Sequence, residues 1–303
     1  TRGARPQWLK GRFGYPFSGR GRLPLQVWSA SLEARLERLY PSYAGSELAR
    51  LQETLARQAS RQRLSLENLV AQLENQWTAL DHELRQWEVH EGAHHPAENG
   101  LDSETRLSLR RAVAAEIRRA WRRAPDPGQE GSELALRLVG YNIGRLPPIS
   151  TSFEHIEELF LVNMGLSEDP STFLRLFPNM DTLHLQGNNL TAVPMAAGEL
   201  PGLIELSLSN NPLMMGAEVF APLLGAGSAL HLRTLHLSGI SSGGEAAASA
   251  AMVAAIDRLG GLISLRELVW ADNLHFTRQE LQAITALPGL RTLDLARFGL
   301  RLD

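Results

Sequence analysis

The sequence predicts an α+β repeat fold, in which an all-α helical bundle acts as a capping domain for a solenoid with a parallel concave sheet. Three observations carry this. Apolar residues recur at helical spacing from Ser31 to Arg123. From Glu133 onward a short apolar template recurs about seven times. The charge also changes sign: residues 1–130 carry 20 basic and 16 acidic side chains, whereas residues 131–303 carry 10 and 17. We therefore expect a basic, aromatic-containing tail or linker over 1–30, a helical bundle over 31–130 and the repeats over 131–303.

Four helices are expected in the bundle. Leu32, Leu36, Leu39 and Tyr43 keep a three-to-four spacing, and Tyr40-Pro41-Ser42 ends that helix. Ser46 precedes a second helix carrying Leu48, Leu51 and Leu55. In the third, Leu66, Val70, Leu73, Trp77, Leu80, Leu84 and Trp87 alternate steps of four and three. Gly92 and Pro96 break it. Asp102 is placed as the N-cap of the fourth, which runs through Leu109, Val113, Ile117 and Trp121. Narrow seams with short connections predict an antiparallel bundle, a unit that commonly seals the open end of a repeat array.

The template of the second half is L-x-x-L-x-L-x-x-N-x-L. Met180, Leu183, Leu185, Asn188 and Leu190 make one copy, and Leu203, Leu206, Leu208, Asn211 and Leu213 the next. Copies begin at 133, 156, 180, 203, 232, 265 and 290. This is the leucine-rich repeat pattern. Leucines at positions 4 and 6 point inward from a short strand, and Asn at position 9 turns the chain. Only Asn188, Asn211 and Asn273 keep that Asn. The longer copies leave room for convex helices at Ala246–Leu259 and Arg278–Thr285.

Composition narrows the chemistry. The chain has no cysteine, so disulfides, thiolate metal sites and cysteine nucleophiles are excluded. No run of 18 apolar residues is present, and no membrane partner is expected. The opening TRGARPQWLK has no signal-peptide core, and we expect the chain to be part of something longer. The basic excess lies in Arg2, Arg5, Lys10, Arg12, Arg20 and Arg22, interleaved with Trp8, Phe13, Tyr15 and Phe17. A linker explains this tail more simply than nucleic-acid binding. His90, His94 and His95 beside Glu91 and Glu98 read as a solvated loop, because a held metal needs three or four oriented ligands. No cofactor and no metal are expected.

The outward positions of the strands form columns down the stack. Position 2 runs Leu134, Glu157, Asp181, Ile204, Arg233, Arg266, Arg291, acidic at its start and basic at its end. Such polarity orients a macromolecular partner. Position 5 runs Arg137, Phe160, His184, Ser207, His236, Val269, Asp294. The partner-binding face is assigned to Glu157, Glu158, Phe160, Asp181, His184, Ser207, Arg233, His236, Arg266 and Arg291. His184 and His236 lie two strands apart, roughly 10 Å, too far to share a metal directly. A Ser207–His pair has no orienting acid of its own on an open sheet, so no catalytic residue is assigned.

The segments LEARLERLYPSY (from Leu32), AAEIRRAWRR (from Ala114), Gly144-Arg145-Leu146-Pro147 and the repeat stretch from Phe153 to Pro194 resemble one family. They are similar to the helical and repeat regions of large leucine-rich-repeat effector-like proteins of Gram-negative bacteria. Members often carry a novel-type (NEL) E3 ubiquitin ligase domain that transfers ubiquitin through a cysteine. The resemblance implies a secreted effector acting in the host cell cytoplasm, with the repeats recruiting a protein target. With no cysteine, this chain would hold the recruiting part and not the ligase. The alternative is a spacer or autoinhibitory unit packed on other parts of the parent protein.

Overall fold

A computed structural model of the chain describes residues 29–89, 101–123, 134–225, 231–240, 246–273 and 277–296. The basic tail and the His90–His95 loop lie outside the described residues.

Four helices open the fold: α1 (Ala30–Leu39), α2 (Ser46–Gln62), α3 (Leu66–Val89) and α4 (Ser103–Trp121). Three caps come from side chains that accept from orphan N–H groups: Ser29 Oγ from Leu32 at α1, Ser65 Oγ from Asn68 at α3, and Asp102 Oδ1 from Thr105 at α4. Helix α2 starts at Ser46 itself, entered from Gly45 at φ 56°. Helix α3 lies between the others, with α1, α2 and α4 packed on it. Of its expected seam, Leu66, Val70, Leu80 and Leu84 are buried, while Leu73, Trp77 and Trp87 are half-buried. The tryptophans spread over neighbouring rings: Trp77 lies 5.3 Å from Trp121, which stacks on Tyr40 at 6.0 Å. Arg118 of α4 donates to Asp81 at 2.7 Å and to Glu88 at 2.6 Å, tying α4 to α3 through one guanidinium.

The repeats follow as β1 (Ala135–Val139), β2 (Glu158–Val162), β3 (Thr182–His184), β4 (Glu205–Ser207), β5 (Thr234–His236), β6 (Glu267–Val269) and β7 (Thr292–Asp294). They form one seven-stranded sheet in chain order, every pair parallel. The register sets template position against template position: Phe160, His184, Ser207, His236, Val269 and Asp294 are successive partners. The arrangement is a leucine-rich-repeat-like solenoid. Leu159, Leu161, Leu183, Leu185, Leu206, Leu208, Leu235, Leu237 and Leu268 are fully buried behind it. The return segments carry a short α5 (Ser171–Leu174), a 3-10 turn (Met195–Glu199), a short α6 (Ala221–Leu224), α7 (Ala246–Leu259) and α8 (Arg278–Thr285). The last two occupy the ranges predicted for them.

Three backbone devices repeat along the array. Each position-2 carbonyl accepts two N–H groups from the next copy: Glu157 O from Asp181 and Thr182, Asp181 O from Ile204 and Glu205, Arg233 O from Arg266 and Glu267. The position-9 asparagines are buried. Asn188 donates to Leu161 O and Leu185 O at 2.7 and 2.8 Å and accepts from Met164 N and Leu166 N at 3.0 and 3.2 Å. Its amide thereby satisfies two donors and two acceptors that no strand reaches. Position 8 is left-handed in six copies, at Gly140, Asn163, Gly187, Asn210, Gly239 and Asp272. The residue types follow from that conformation, which glycine, asparagine and aspartate tolerate best.

The helices and the repeats meet at named contacts. His155 Nε2 donates to Ala120 O at the end of α4, 2.9 Å away. Arg123 Nη1 donates to Ala135 O of β1 at 2.9 Å. The Glu83 carboxylate of α3 accepts from Ser150 N at 2.9 Å and from Ser150 Oγ at 2.6 Å. Buried side chains of both parts belong to one core. Among the described residues, no helix is long and apolar enough to cross a membrane.

Candidate functional site

Strand alternation places positions 3, 5 and 7 of each copy on the concave face. There the position-5 column forms a physical row. The Arg137 guanidinium carbon lies 3.9 Å over the Phe160 ring. The Phe160 and His184 rings stack with centroids 4.5 Å apart and planes 4° apart. The stack continues as a carboxylate between two imidazoles. Glu205 Oε1 lies 3.4 Å from His184 Nε2 and 3.7 Å from His236 Nε2. The intervening Ser207 is buried beneath these groups. Arg137 Nη2 also donates to Glu158 Oε2 at 3.3 Å, so the row begins with a guanidinium that touches both a ring and a carboxylate.

The electrostatics follow from burial. Desolvation pushes the His184 pKa below the ordinary histidine value; Glu205 opposes that shift and His236 adds to it. His184 is therefore neutral at pH 7 and presents a flat, weakly polar ring. Gln186, two residues beyond the end of β3, adjoins the His184 ring and opposes the lowering of its pKa through a side-chain hydrogen bond.

The expected face is thus partly gathered. Glu158, Phe160, His184, Ser207 and His236 lie together on β2 to β5. Asp181 accepts from Thr182 Oγ1 at 2.9 Å beside them. Glu157 and Arg233 sit at position 2, where their carbonyls carry the ladder. Arg266 directs Nη1 to Leu265 O at 2.8 Å and Ile263 O at 3.0 Å, so its guanidinium braces a turn. Arg291 is exposed beside β7. Arg137, Gln186 and Glu205 complete the row and were absent from the assigned set. The signal was present, since Arg137 shares the position-5 column and Glu205 the position-3 column.

Strand spacing separates the two histidines, yet both rings lean to one carboxylate oxygen. Among the described residues, no group of three His, Cys, Asp or Glu side chains is placed to hold a metal. A separate cleft of about 530 Å³ lies among the return segments, lined by Leu190, Val193, Met195, Val219 and Pro222. The acids at its edge are engaged: Asp169 accepts from Ser171, and Glu199 pairs with Arg175.

No protein-family model matches the chain. Over 92 residues it is 33% identical to the uridine 5'-monophosphate transferase of Xanthomonas campestris pv. campestris (strain 8004). That match covers 30% of this chain and 17% of the transferase, so the chain spans a small part of that protein's length. Among solved structures it is similar to the leucine-rich repeat domain of the type III effector XopL, with 21% identity and a TM-score of 0.48 over 72% of this chain and 71% of that one. It is also similar to human 5T4 (Wnt-activated inhibitory factor 1, trophoblast glycoprotein), with 26% identity and a TM-score of 0.40 over 55% and 60%.

Proposed function

We propose that the chain is a protein-recognition module that binds its target on the concave face. It would serve as the substrate-recruiting part of a bacterial effector, with the helical bundle sealing the first repeat. The observation that carries this is the row of concave side chains from Arg137 to His236. Five strands bring a cation, two flat rings, a carboxylate and a second imidazole into one continuous surface. Flat aromatic anchors and guanidinium groups are the side chains that dominate protein interfaces. The parent activity proposed from the family resemblance is E3 ubiquitin transfer in the host cytoplasm, supplied by a domain other than this one. The partial likeness to a Xanthomonas transferase supports a bacterial modifying enzyme as the setting and offers nucleotidyl transfer as the competing chemistry.

The test reverses charge at Asp181→Arg and Arg233→Glu together and compares capture of host-lysate proteins with the unaltered chain. Loss of the captured set at an unchanged Tm is expected. An unchanged set would remove Asp181 and Arg233 from the binding face.

A further inference from the structure

We infer that the concave face grips an arginine side chain of its partner at the His184–Glu205–His236 cluster. The inference rests on the concave-face reading above and names what that face reads.

The chain itself holds the pattern once. Arg137 lies over the Phe160 ring and donates to Glu158, so a guanidinium is held by a flat ring and a carboxylate from the neighbouring strand. Two strands further on the same parts recur. Glu205 occupies the template position of Glu158, and His184 and His236 supply flat rings on either side of it. The position-5 residue beside Glu205 is Ser207, which is short and buried, so no side chain of that strand covers the carboxylate from above.

The acceptor is under-used. The imidazole nitrogens stand 3.4 and 3.7 Å from Glu205 Oε1, longer than the roughly 2.7–2.9 Å of a charge-assisted hydrogen bond. Its side chain keeps 35% of its surface open, between rings that keep 17% and 30%. A ligand fitting this place brings several N–H donors in one plane and a face that stacks on imidazole. Guanidinium meets both demands, whereas ammonium meets only the first. An anionic group would face Glu205 and Glu158, and among the described residues no group of His, Cys, Asp or Glu side chains is placed to hold a metal.

The test is selection of a displayed random peptide library at pH 7.4 on the described fold, followed by affinity measurement on the enriched peptides. Arginine-bearing peptides are expected. Replacing their arginine by lysine should weaken binding several-fold, and Glu205→Gln should weaken it at least tenfold. Phe160→Ala, next in the row, should cost less. Enriched peptides without arginine, or with acidic residues in its place, would overturn the inference, as would affinity indifferent to Glu205→Gln. If the peptides survive both the Asp181→Arg/Arg233→Glu reversal and Glu205→Gln, the concave-face reading itself fails. If they are lost there but tolerate Glu205→Gln, only the arginine grip fails. Recovery of no peptide would count against both.

Discussion

Asn163 fills the space where Gly187 would carry a side chain. A Cβ on Gly187 would collide with Asn163 Oδ1, and Gly187 itself sits at φ +70°. The next pair repeats this, with Asn210 lying over Gly239 at φ +65°. Both residues of each pair occupy position 8, so glycine and asparagine alternate because each asparagine needs a neighbour without a side chain.

Gly187→Ala should therefore destabilise by about 2–4 kcal/mol, from left-handed backbone strain plus the collision. Adding Asn163→Gly should bring the loss down to about 1–2 kcal/mol, the strain alone. Urea unfolding of the two variants measures the difference. Equal losses in both would mean that Asn163 does not limit the site.

Asn188→Leu should cost about 3–5 kcal/mol. It strands two N–H groups and two carbonyls in a buried turn. Asn179, which donates to Glu154 O at the surface, is the matched control. Asn179→Ala should cost no more than about 1 kcal/mol. Thermal unfolding of both variants settles the comparison.

His155 couples the helices to the repeats and titrates against folding. Burial lowers its pKa below 6.5; the bond to Ala120 O and the Glu154 charge oppose that shift. The folded state holds the neutral ring, so its contribution is complete above the unfolded value. As pH falls below about 6.5, protonation favours the unfolded chain, and stability declines until the lowered folded pKa is passed. A stability profile from pH 8 to 5 should fall on the acid side, and His155→Gln should flatten part of that fall. A profile that keeps its full acid slope in the variant would remove His155 as a cause.

The fold was legible because its signals are periodic. Leu183 and Leu206 recur at a fixed offset, and that offset alone sets which residues share a column. The four helices were readable for the same reason, down to the Asp102 cap. What escaped is what side chains do after the backbone is placed. A register argument puts His184 and His236 two strands apart, but their rotamers bring both to Glu205. The same argument makes Arg266 a surface cation, whereas its Nη1 turns back to main-chain carbonyls. The pairing of Gly187 with Asn163 likewise comes from their proximity across copies, which the template does not encode.

The row on the concave face has one residue per copy, and each copy is joined to its neighbours by the same carbonyl ladder. Duplicating or deleting a copy would change the length of that row by one strand spacing, about 4.8 Å, while leaving the contacts inside every other copy in place. Such a surface can acquire a new specificity by counting as well as by substitution.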